Sequence, residues 1–310
     1  MLTDWCILDP GLESKNLGDS IISKHATKQL LTMLGPAARI TSLPTHRFWS
    51  DSERQRAREC DRFIFAGSNA LAHNFPLNFQ WVIRPSDFRM LRGKLTLFGV
   101  GTWNYGKFSP VSKSLWSSVL SEEPHSTRDS YTQVRLELLG KKAVTTGCPT
   151  LWNLPDSFSL GKRKEGCIFT VTDYRMNPTR DLNWLNFLRD NYDELLLWPQ
   201  GSGDEGYFRR LNLGAKVEVL PRDLSAFENA LSTNSFDYFG TRLHAGIHAL
   251  HAGLRASIVG VDNRAKEMAN DFNIPVLLDG EFFTHLERER VSLSLPRKKI
   301  EDFRKMLREV

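Results

Sequence analysis

The sequence predicts an α/β protein with two Rossmann-like, doubly wound domains that face a cleft. Short apolar runs alternate with amphipathic helical patterns along all 310 residues, which is typical of mainly parallel sheets covered by helices. The chain is also longer than the ~100–200 residues usual for one domain. Residues 155–166 concentrate Pro, Ser, Gly and charge, as a connection between domains does, and the alternation restarts after them.

The predicted elements follow in order on either side of this connection. Before it, strands are predicted at 5–8, 39–43, 62–66, 94–100 and 143–146, and helices at 20–34 and 131–139. After it, strands are predicted at 167–172, 195–199, 216–220, 236–239, 256–261 and 276–277, and helices at 182–190, 207–213, 224–231, 243–252 and 265–272. We expect an N-terminal domain over 1–155, a C-terminal domain over 166–295, and a last helix in 296–310 that packs back across the pair. A ligand would bind in the cleft, where the parallel strands end.

Composition excludes several classes of protein. The chain is 41% hydrophobic with a net charge of +5, and none of its apolar runs reaches the ~20 residues that cross a bilayer. Asp4 stands where a signal peptide needs basic residues, so we expect a cytoplasmic protein, at most peripheral at the inner membrane face. The basic residues are scattered, which argues against nucleic acid as a partner. The 4 cysteines lack zinc-site spacing and are predicted to be small buried hydrophobic residues.

The first candidate site is the loop after the first predicted strand. It reads Ser14-Lys15-Asn16-Leu17-Gly18-Asp19-Ser20 and opens a helix, whose first N–H groups and dipole favour an anion or a polar ligand. Asn16 and Asp19 are suited to orient a substrate rich in hydroxyls, with Asp19 as a base. Alternatively, Asp19 only caps the helix.

Arg128 is the second candidate, in Ser126-Thr127-Arg128-Asp129-Ser130 before another amphipathic helix. A cation gains nothing from the dipole at a helix start. An anion bound by both Arg128 and the helix end would explain why an arginine stands there. A salt bridge to Asp129 or Glu137 explains it equally well.

Residues 201–206 read Gly-Ser-Gly-Asp-Glu-Gly, a literal match to the dinucleotide-binding pattern. Asp204 and Glu205 in the first helical turn would repel a pyrophosphate, and the preceding strand is not the first of its domain. Nucleotide binding through this segment is therefore not expected.

The strongest feature is Thr241-Arg242-Leu243-His244, which follows a predicted strand and Gly240 and opens a helix. An apolar stripe with Leu243 fixes this helix on the sheet, so Arg242 and His244 are predicted to project into the cleft. The helix dipole, a guanidinium and an imidazole then converge on one anion site. His248 and His251 share helical spacing with His244, but without a carboxylate nearby they are predicted to be packed or surface residues rather than metal ligands.

Arg264 and Lys266 add two more cations at a helix start, after Val261-Asp262-Asn263. The neighbouring strand leads to Arg242, so both cations strengthen the prediction of an anion site there. Lys266 alternatively pairs with Asp262 or Asp271.

Together these segments resemble the polysaccharide pyruvyl transferases, which move the enolpyruvyl group of phosphoenolpyruvate onto sugar hydroxyls as a ketal. The matching pieces are Asn16-Leu17-Gly18-Asp19, the strand end at Gly67, Arg128-Asp129 with Leu138-Leu139-Gly140, Pro199-Gln200-Gly201, Thr241-Arg242-Leu243-His244 and Val261-Asp262-Asn263-Arg264-Ala265. The Arg-Leu-His triplet is the most specific of them. The resemblance implies a fold of the glycosyltransferase-B type.

The resemblance also implies roles for these residues. Arg128, Arg242 and His244 would be catalytic and bind the donor, with Arg264 or Lys266 as the later basic residue of the family, where many members have Lys. We place the donor on the C-terminal domain. The acceptor, a sugar or polysaccharide or its lipid-linked precursor, is placed at Asn16, Gly18 and Asp19 of the N-terminal domain. Phosphoenolpyruvate is the co-substrate, and neither a cofactor nor a metal is expected.

Two other functions remain open from the sequence. A glycosyltransferase that uses a nucleotide sugar would share the architecture but would need a diphosphate and nucleoside pocket. A non-catalytic module that binds anions or a partner would not need the Arg-Leu-His triplet.

Overall fold

The computed structural model describes residues 3–35, 38–75, 80–214, 216–277 and 281–309. Its first elements are β1 (Asp4–Asp9), α1 (Leu17–Leu34), β2 (Arg39–Pro44), α2 (Asp51–Glu59), β3 (Arg62–Ala66), α3 (Phe88–Leu91), β4 (Leu95–Phe98), α4 (Pro110–Val119), β5 (His125–Thr127), α5 (Ser130–Glu137) and β6 (Ala143–Thr145). These are followed by β7 (Ser157–Ser159), β8 (Gly166–Thr170), α6 (Pro178–Asn191), β9 (Glu194–Leu197), α7 (Asp204–Leu211), β10 (Glu218–Val219), α8 (Leu224–Ser232), β11 (Phe236–Gly240), α9 (Leu243–His251), β12 (Ala256–Val259), α10 (Asn263–Phe272), β13 (Val276–Leu277), α11 (Thr284–Glu287), β14 (Arg290–Ser292) and α12 (Arg297–Glu309).

The contacts between residues divide the chain into two compact units. Unit 1 comprises Met1–Ser14, Ile22–Trp152 and Leu295–Val310, and unit 2 comprises Lys15–Ile21 and Asn153–Ser294. The main division lies close to the predicted one. The segment Lys15–Ile21, which we had assigned to the N-terminal domain, instead belongs to unit 2 by its contacts.

Unit 1 is built on a parallel sheet. Its strand order is β2-β1-β3-β4, and β5 and β6 form a parallel pair beside it through a bridge between Val100 and Thr127. The strands form because their residues are buried and apolar, as in β3, where Phe63, Ile64 and Phe65 are fully buried. Helix α12 covers one face, where Ile300, Phe303 and Leu307 pack among residues of β1, α1, β3 and β4.

Unit 2 is a doubly wound sheet with strand order β10-β9-β8-β11-β12-β13, and all its pairs are parallel. The chain runs from β8 outward to β10, then returns to β11 on the other side of β8. The strand order therefore reverses between β8 and β11, where Thr170 pairs with Gly240. Open sheets of this kind bind ligands beyond the carboxyl ends of the strands at such a reversal.

The predicted connection over 155–166 contains a short strand that the sequence did not indicate. Strand β7 lies within it and pairs antiparallel with β14, with Phe158 opposite Val291. A strand of 3 residues is too short to leave a periodic signal in the sequence. All four cysteines are buried, as predicted. Among the described helices, none is long and apolar enough to cross a membrane.

Candidate active site

The polar side chains of unit 2 cluster beyond the carboxyl ends of its central strands. Strand β8 leads to Asp173 and Tyr174, β9 to Gln200 and Gly201, β11 to Arg242, and β12 to Asp262 and Arg264. Since these parallel strands end at the same edge of the sheet, residues far apart in the sequence meet there.

Arg242 lies at the centre of this cluster, directly before α9, and only 3% of it is exposed. Its Nε donates to Asp204 Oδ2 at 3.0 Å, and its Nη2 donates to the other oxygen of the same carboxylate. A longer bond of 3.3 Å joins Nη2 to Asp173 Oδ1. The guanidinium is therefore fixed by a buried ion pair. That Arg242 projects into a cleft stays a prediction. Its Nη1 makes no hydrogen bond to any residue that the structure describes, which leaves donors for a ligand.

Asp204, the first residue of α7, is fully buried and accepts hydrogen bonds from several donors. Besides Arg242 it accepts the backbone N–H of Gly201 at 2.7 Å and that of Asp173 at 3.2 Å. Burial raises the pKa of Asp204, and Arg242 counteracts this rise. Burial acts to lower the pKa of Arg242, but Asp204 outweighs it and the pKa of Arg242 lies above its ordinary value. Arg242 therefore stays charged.

The glycine-rich segment after β9 has a steric explanation. A Cβ atom at Gly201 would lie 2.3 Å from Nη2 of Arg242, and one at Gly203 would lie 2.1 Å from Oδ2 of Asp173. A side chain at either position would displace a charged group, because Arg242 and Asp173 lie against the backbone there. The dinucleotide-like pattern thus serves the Arg242 cluster.

Tyr174 joins the two arginines that the sequence identified. The Cζ atom of Arg242 lies 4.9 Å from the centre of the Tyr174 ring, and that of Arg264 lies 5.6 Å from it. Arg264 also donates to the Tyr174 hydroxyl and, through Nε, to Asp262 Oδ2 at 2.9 Å. Burial acts to lower the pKa of Arg264, but Asp262, Tyr174 and, more weakly, Asp19 raise it above its ordinary value.

Lys266 lies on the first turn of the same helix but is exposed. Its alternative pairing with Asp262 or Asp271 stays a prediction. Asp262 pairs with Arg264, whose side chain is 13% exposed. Of the two cations, it is Arg264 that the structure brings to the Arg242 cluster.

The start of α1 packs on the loop after β9. Leu17 donates its backbone N–H to the Gln200 carbonyl at 3.1 Å, and the Gln200 side-chain amide donates to Asn16 Oδ1 at 2.8 Å. The same oxygen accepts the N–H of Gly18, so Asn16 rather than Asp19 caps the helix. Asp19 lies in the first turn of α1. The structure therefore places all three predicted acceptor residues in unit 2, together with Arg242, His244, Arg264 and Lys266, and not in unit 1, where Arg128 lies.

His244 is the second residue of α9 and is 6% exposed. The helix is buried from Leu243 to Leu250, not along one stripe, because small residues such as Gly246 let it pack directly against β12. His248 bonds Glu228 at 3.0 Å, as expected of a packed histidine. Within the described residues there is no group of His, Cys, Asp or Glu that could hold a metal ion.

Arg128 lies in unit 1 at the end of β5 and is 1% exposed. Its guanidinium bonds Asp129 Oδ2 at 3.0 Å, the carbonyl of Thr102 at 3.2 Å and the side-chain oxygen of Asn69. The predicted salt bridge to Asp129 is therefore present. A donor-binding role for Arg128 stays a prediction.

Sequence reasoning missed Asp173, Tyr174 and the role of Asp204, and it gave Gln200 no role beyond the family match. Asp173 and Tyr174 had a usable signal, since polar residues directly after the first strand of a doubly wound sheet lie at its reversal point. Asp204 was noted only as a residue that repels phosphate. Its long-range pairing with Arg242 leaves no trace in a single sequence.

The fold of the whole chain is that of the GT-B class. The UDP-GlcNAc 2-epimerase from Methanocaldococcus jannaschii, solved in complex with UDP-GlcNAc and UDP, has a TM-score of 0.54 at 9% identity, with 100% of both chains covered. MnaA from S. aureus, solved with UDP, has a TM-score of 0.52 at 11% identity, covering 100% of this chain and 90% of that one. At such identities the likeness shows the fold alone. A search of the curated proteins found no match.

The family is shown by the sequence. The family model of the polysaccharide pyruvyl transferases matches residues 16–263, from the loop before α1 to the start of α10. The chain belongs to this family of transferases, which act in polysaccharide biosynthesis.

Proposed function

We propose that the protein transfers the enolpyruvyl group of phosphoenolpyruvate to sugar hydroxyls, forming a ketal and releasing phosphate. One observation carries the proposal: Arg242 and Arg264 share the ring of Tyr174 beyond the strand ends of unit 2. Phosphoenolpyruvate presents a carboxylate and a phosphate, and two guanidiniums suit these two anionic groups. Each arginine has its own aspartate, Asp204 or Asp262, which holds the planar group in place before the ligand binds.

In this proposal different residues bind the donor, donate a proton and bind the acceptor. Arg242 and Arg264 bind the donor, with Lys266 at its exposed side. His244, as an imidazolium, donates a proton to the methylene carbon or the leaving phosphate, which is worth ~10²–10⁴ in rate. Asn16 and Gly18 form the wall for the acceptor, and Asp19 receives a proton from its hydroxyl.

The test is a phosphate-release assay with phosphoenolpyruvate and a panel of free, polymeric and lipid-linked saccharides. We expect turnover with at least one acceptor, and a loss of ~10²-fold or more in kcat/KM for both Arg242→Ala and His244→Ala. Arg264→Gln should raise the KM for phosphoenolpyruvate more than Lys266→Gln does, since Arg264 lies on Tyr174. If both alanine variants kept full phosphate release, the assignment would be wrong.

The rival function is transfer from a nucleotide sugar, which is suggested by the UDP-GlcNAc bound to the Methanocaldococcus jannaschii epimerase. Calorimetric titration with UDP-GlcNAc and with phosphoenolpyruvate separates the two. Binding of the nucleotide sugar without any response to phosphoenolpyruvate would favour the rival. The Gly201-to-Gly206 segment argues against it, because Arg242 and Asp173 lie on that backbone.

A further inference from the structure

Arg242 has two carboxylates, although one suffices to neutralise it. Asp204 is fully buried and takes two guanidinium donors, so it is the permanent counter-ion. Asp173 meets the same guanidinium through one longer bond of 3.3 Å, and 40% of its side chain is exposed. The two aspartates therefore differ in exposure: Asp204 is enclosed by protein, and Asp173 faces solvent.

The position of Asp173 is built by its surroundings. Its backbone N–H donates to Asp204 Oδ1 at 3.2 Å, and its carboxylate lies against Gly203, where a Cβ atom would come within 2.1 Å of Asp173 Oδ2. It follows β8, at the point where the strand order of unit 2 reverses. A carboxylate held there opposes the binding of any anion beside Arg242, because like charges repel. A site that only bound an anion would be better without it.

We propose that Asp173 is a catalytic base that carries a proton from an acceptor hydroxyl to the leaving phosphate. This inference rests on the proposed function. It explains why a carboxylate lies next to the guanidinium that grips the donor: the proton acceptor has to be adjacent to the group that leaves.

The proton balance of ketal formation requires such a carrier. Two sugar hydroxyls react, and their two protons must leave. The first hydroxyl oxygen bonds C2 of phosphoenolpyruvate and gives up its proton, and in the net balance C3 takes up that one proton and becomes a methyl group. The bond from C2 to the phosphate oxygen then breaks, and the second hydroxyl oxygen bonds C2. Asp173 takes the proton of this second hydroxyl and passes it to the phosphate, which departs as hydrogen phosphate and leaves the carboxylate as it was.

The experiment compares Asp173→Asn with the wild type in two measurements. Calorimetry measures phosphoenolpyruvate binding without acceptor, and the phosphate-release assay gives kcat and KM. Because the amide keeps the shape but removes the charge and the basicity, we expect binding to be as tight or a few-fold tighter, while kcat falls by ~10²–10⁴. Glu205→Gln is the matched control, since this neighbouring carboxylate pairs with Arg209 on the surface, and its kinetics should equal the wild type.

Each other outcome overturns the proposal. An unchanged kcat in Asp173→Asn would mean that Asp173 takes no part in catalysis. A joint loss of binding and turnover would mean that Asp173 only holds Arg242 in position. Asp173→Ser, judged by the same two measurements, replaces the amide variant if that variant does not fold. A wild-type protein that neither binds phosphoenolpyruvate nor releases phosphate from it overturns the proposed function as well. A wild type that turns over beside a fully active Asp173→Asn overturns this inference alone.

Discussion

At the scale of single residues, the candidate site depends on how a buried charge is held. Removing a guanidinium from water is costly, and Asp204 offsets that cost by taking two of the Arg242 donors in a fixed geometry. The pair also determines which donors remain, since Nη1 is left without a partner among the described residues. The position of Arg242 is thus set by residues that need not touch a substrate.

Gly201→Ala tests this dependence on position. The added Cβ would collide with Nη2 of Arg242 at 2.3 Å, which is the end of a flexible side chain, so the guanidinium moves and the fold persists. We expect a fall of ~10- to 100-fold in kcat/KM for phosphoenolpyruvate, with a thermal midpoint within a few degrees of the wild type. Gly206→Ala is the matched control: its Cβ would meet Arg210 only at 3.8 Å, in the middle of α7. It should keep full activity and add up to about 1 kcal/mol of stability. Equal activity in both variants would contradict the argument.

At the scale of elements, the sequence predicted the strands of both sheets well and some helices poorly. Buried apolar strands such as β3 and β12 stand out because nearly every residue in them is apolar. Helix α2 was missed because its sequence, DSERQRARE, has almost no apolar face. The sequence feature that indicates the start of α2 is the capping box that Ser50 forms with Glu53. Strand β5 was missed because its polar residues are buried through hydrogen bonds, such as that from the Gly99 N–H to Ser126 Oγ.

The site was predictable where chemistry lies at a helix start. Arg242, His244 and Arg264 all stand at or just before the first turn of α9 or α10, and a single sequence shows that. Whether such a charge is free or paired depends on residues 30 to 70 positions away, as with Asp173 and Arg242. The assignment of the loop at Asn16 to the N-terminal domain failed for the same reason, since its partner is Gln200.

The start of α1 gives a prediction at this scale. Asn16 Oδ1 accepts from both the Gly18 N–H and the Gln200 amide, so Asn16→Ala leaves two donors without their partner. We expect a loss of about 1–2 kcal/mol in the free energy of unfolding, measured by urea titration. Asn16→Asp keeps the acceptor and should restore most of that stability, while its negative charge raises the KM for phosphoenolpyruvate. If Asn16→Asp were as unstable as Asn16→Ala, capping would not be the role of this side chain.

At the scale of the whole molecule, each unit encloses a histidine that must stay neutral. In unit 1, burial lowers the pKa of His125 to about 4, helped by the charge of Lys141. In unit 2, burial lowers the pKa of His285 to about 3, helped by Arg255 and Arg288. His285 lies between the Tyr192 hydroxyl and Ser257 Oγ. Because the Tyr192 hydroxyl donates its proton to Asp237, it accepts from His285, so Nε2 of His285 is the donor. Both histidines titrate near their ordinary pKa of about 6.5 once unfolded.

The lowered pKa values of these two histidines predict how the stability of the protein depends on pH. A histidine whose pKa is lower in the folded state adds stability that is fully present above pH ~6.5 and is lost as the pH falls toward the folded pKa. For His125 that window runs from pH ~6.5 down to about 4, and the loss across it is on the order of 2–3 kcal/mol. His125→Asn should remove this dependence, because the amide oxygen replaces Nδ1 as the acceptor of the Leu97 N–H at 3.2 Å and does not titrate there. Urea titrations at pH 7.5, 6 and 5 would show midpoints that fall less in this variant than in the wild type. The same substitution at the partly exposed His251 is the control and should follow the wild type, and parallel curves for all three proteins would contradict the assignment to His125.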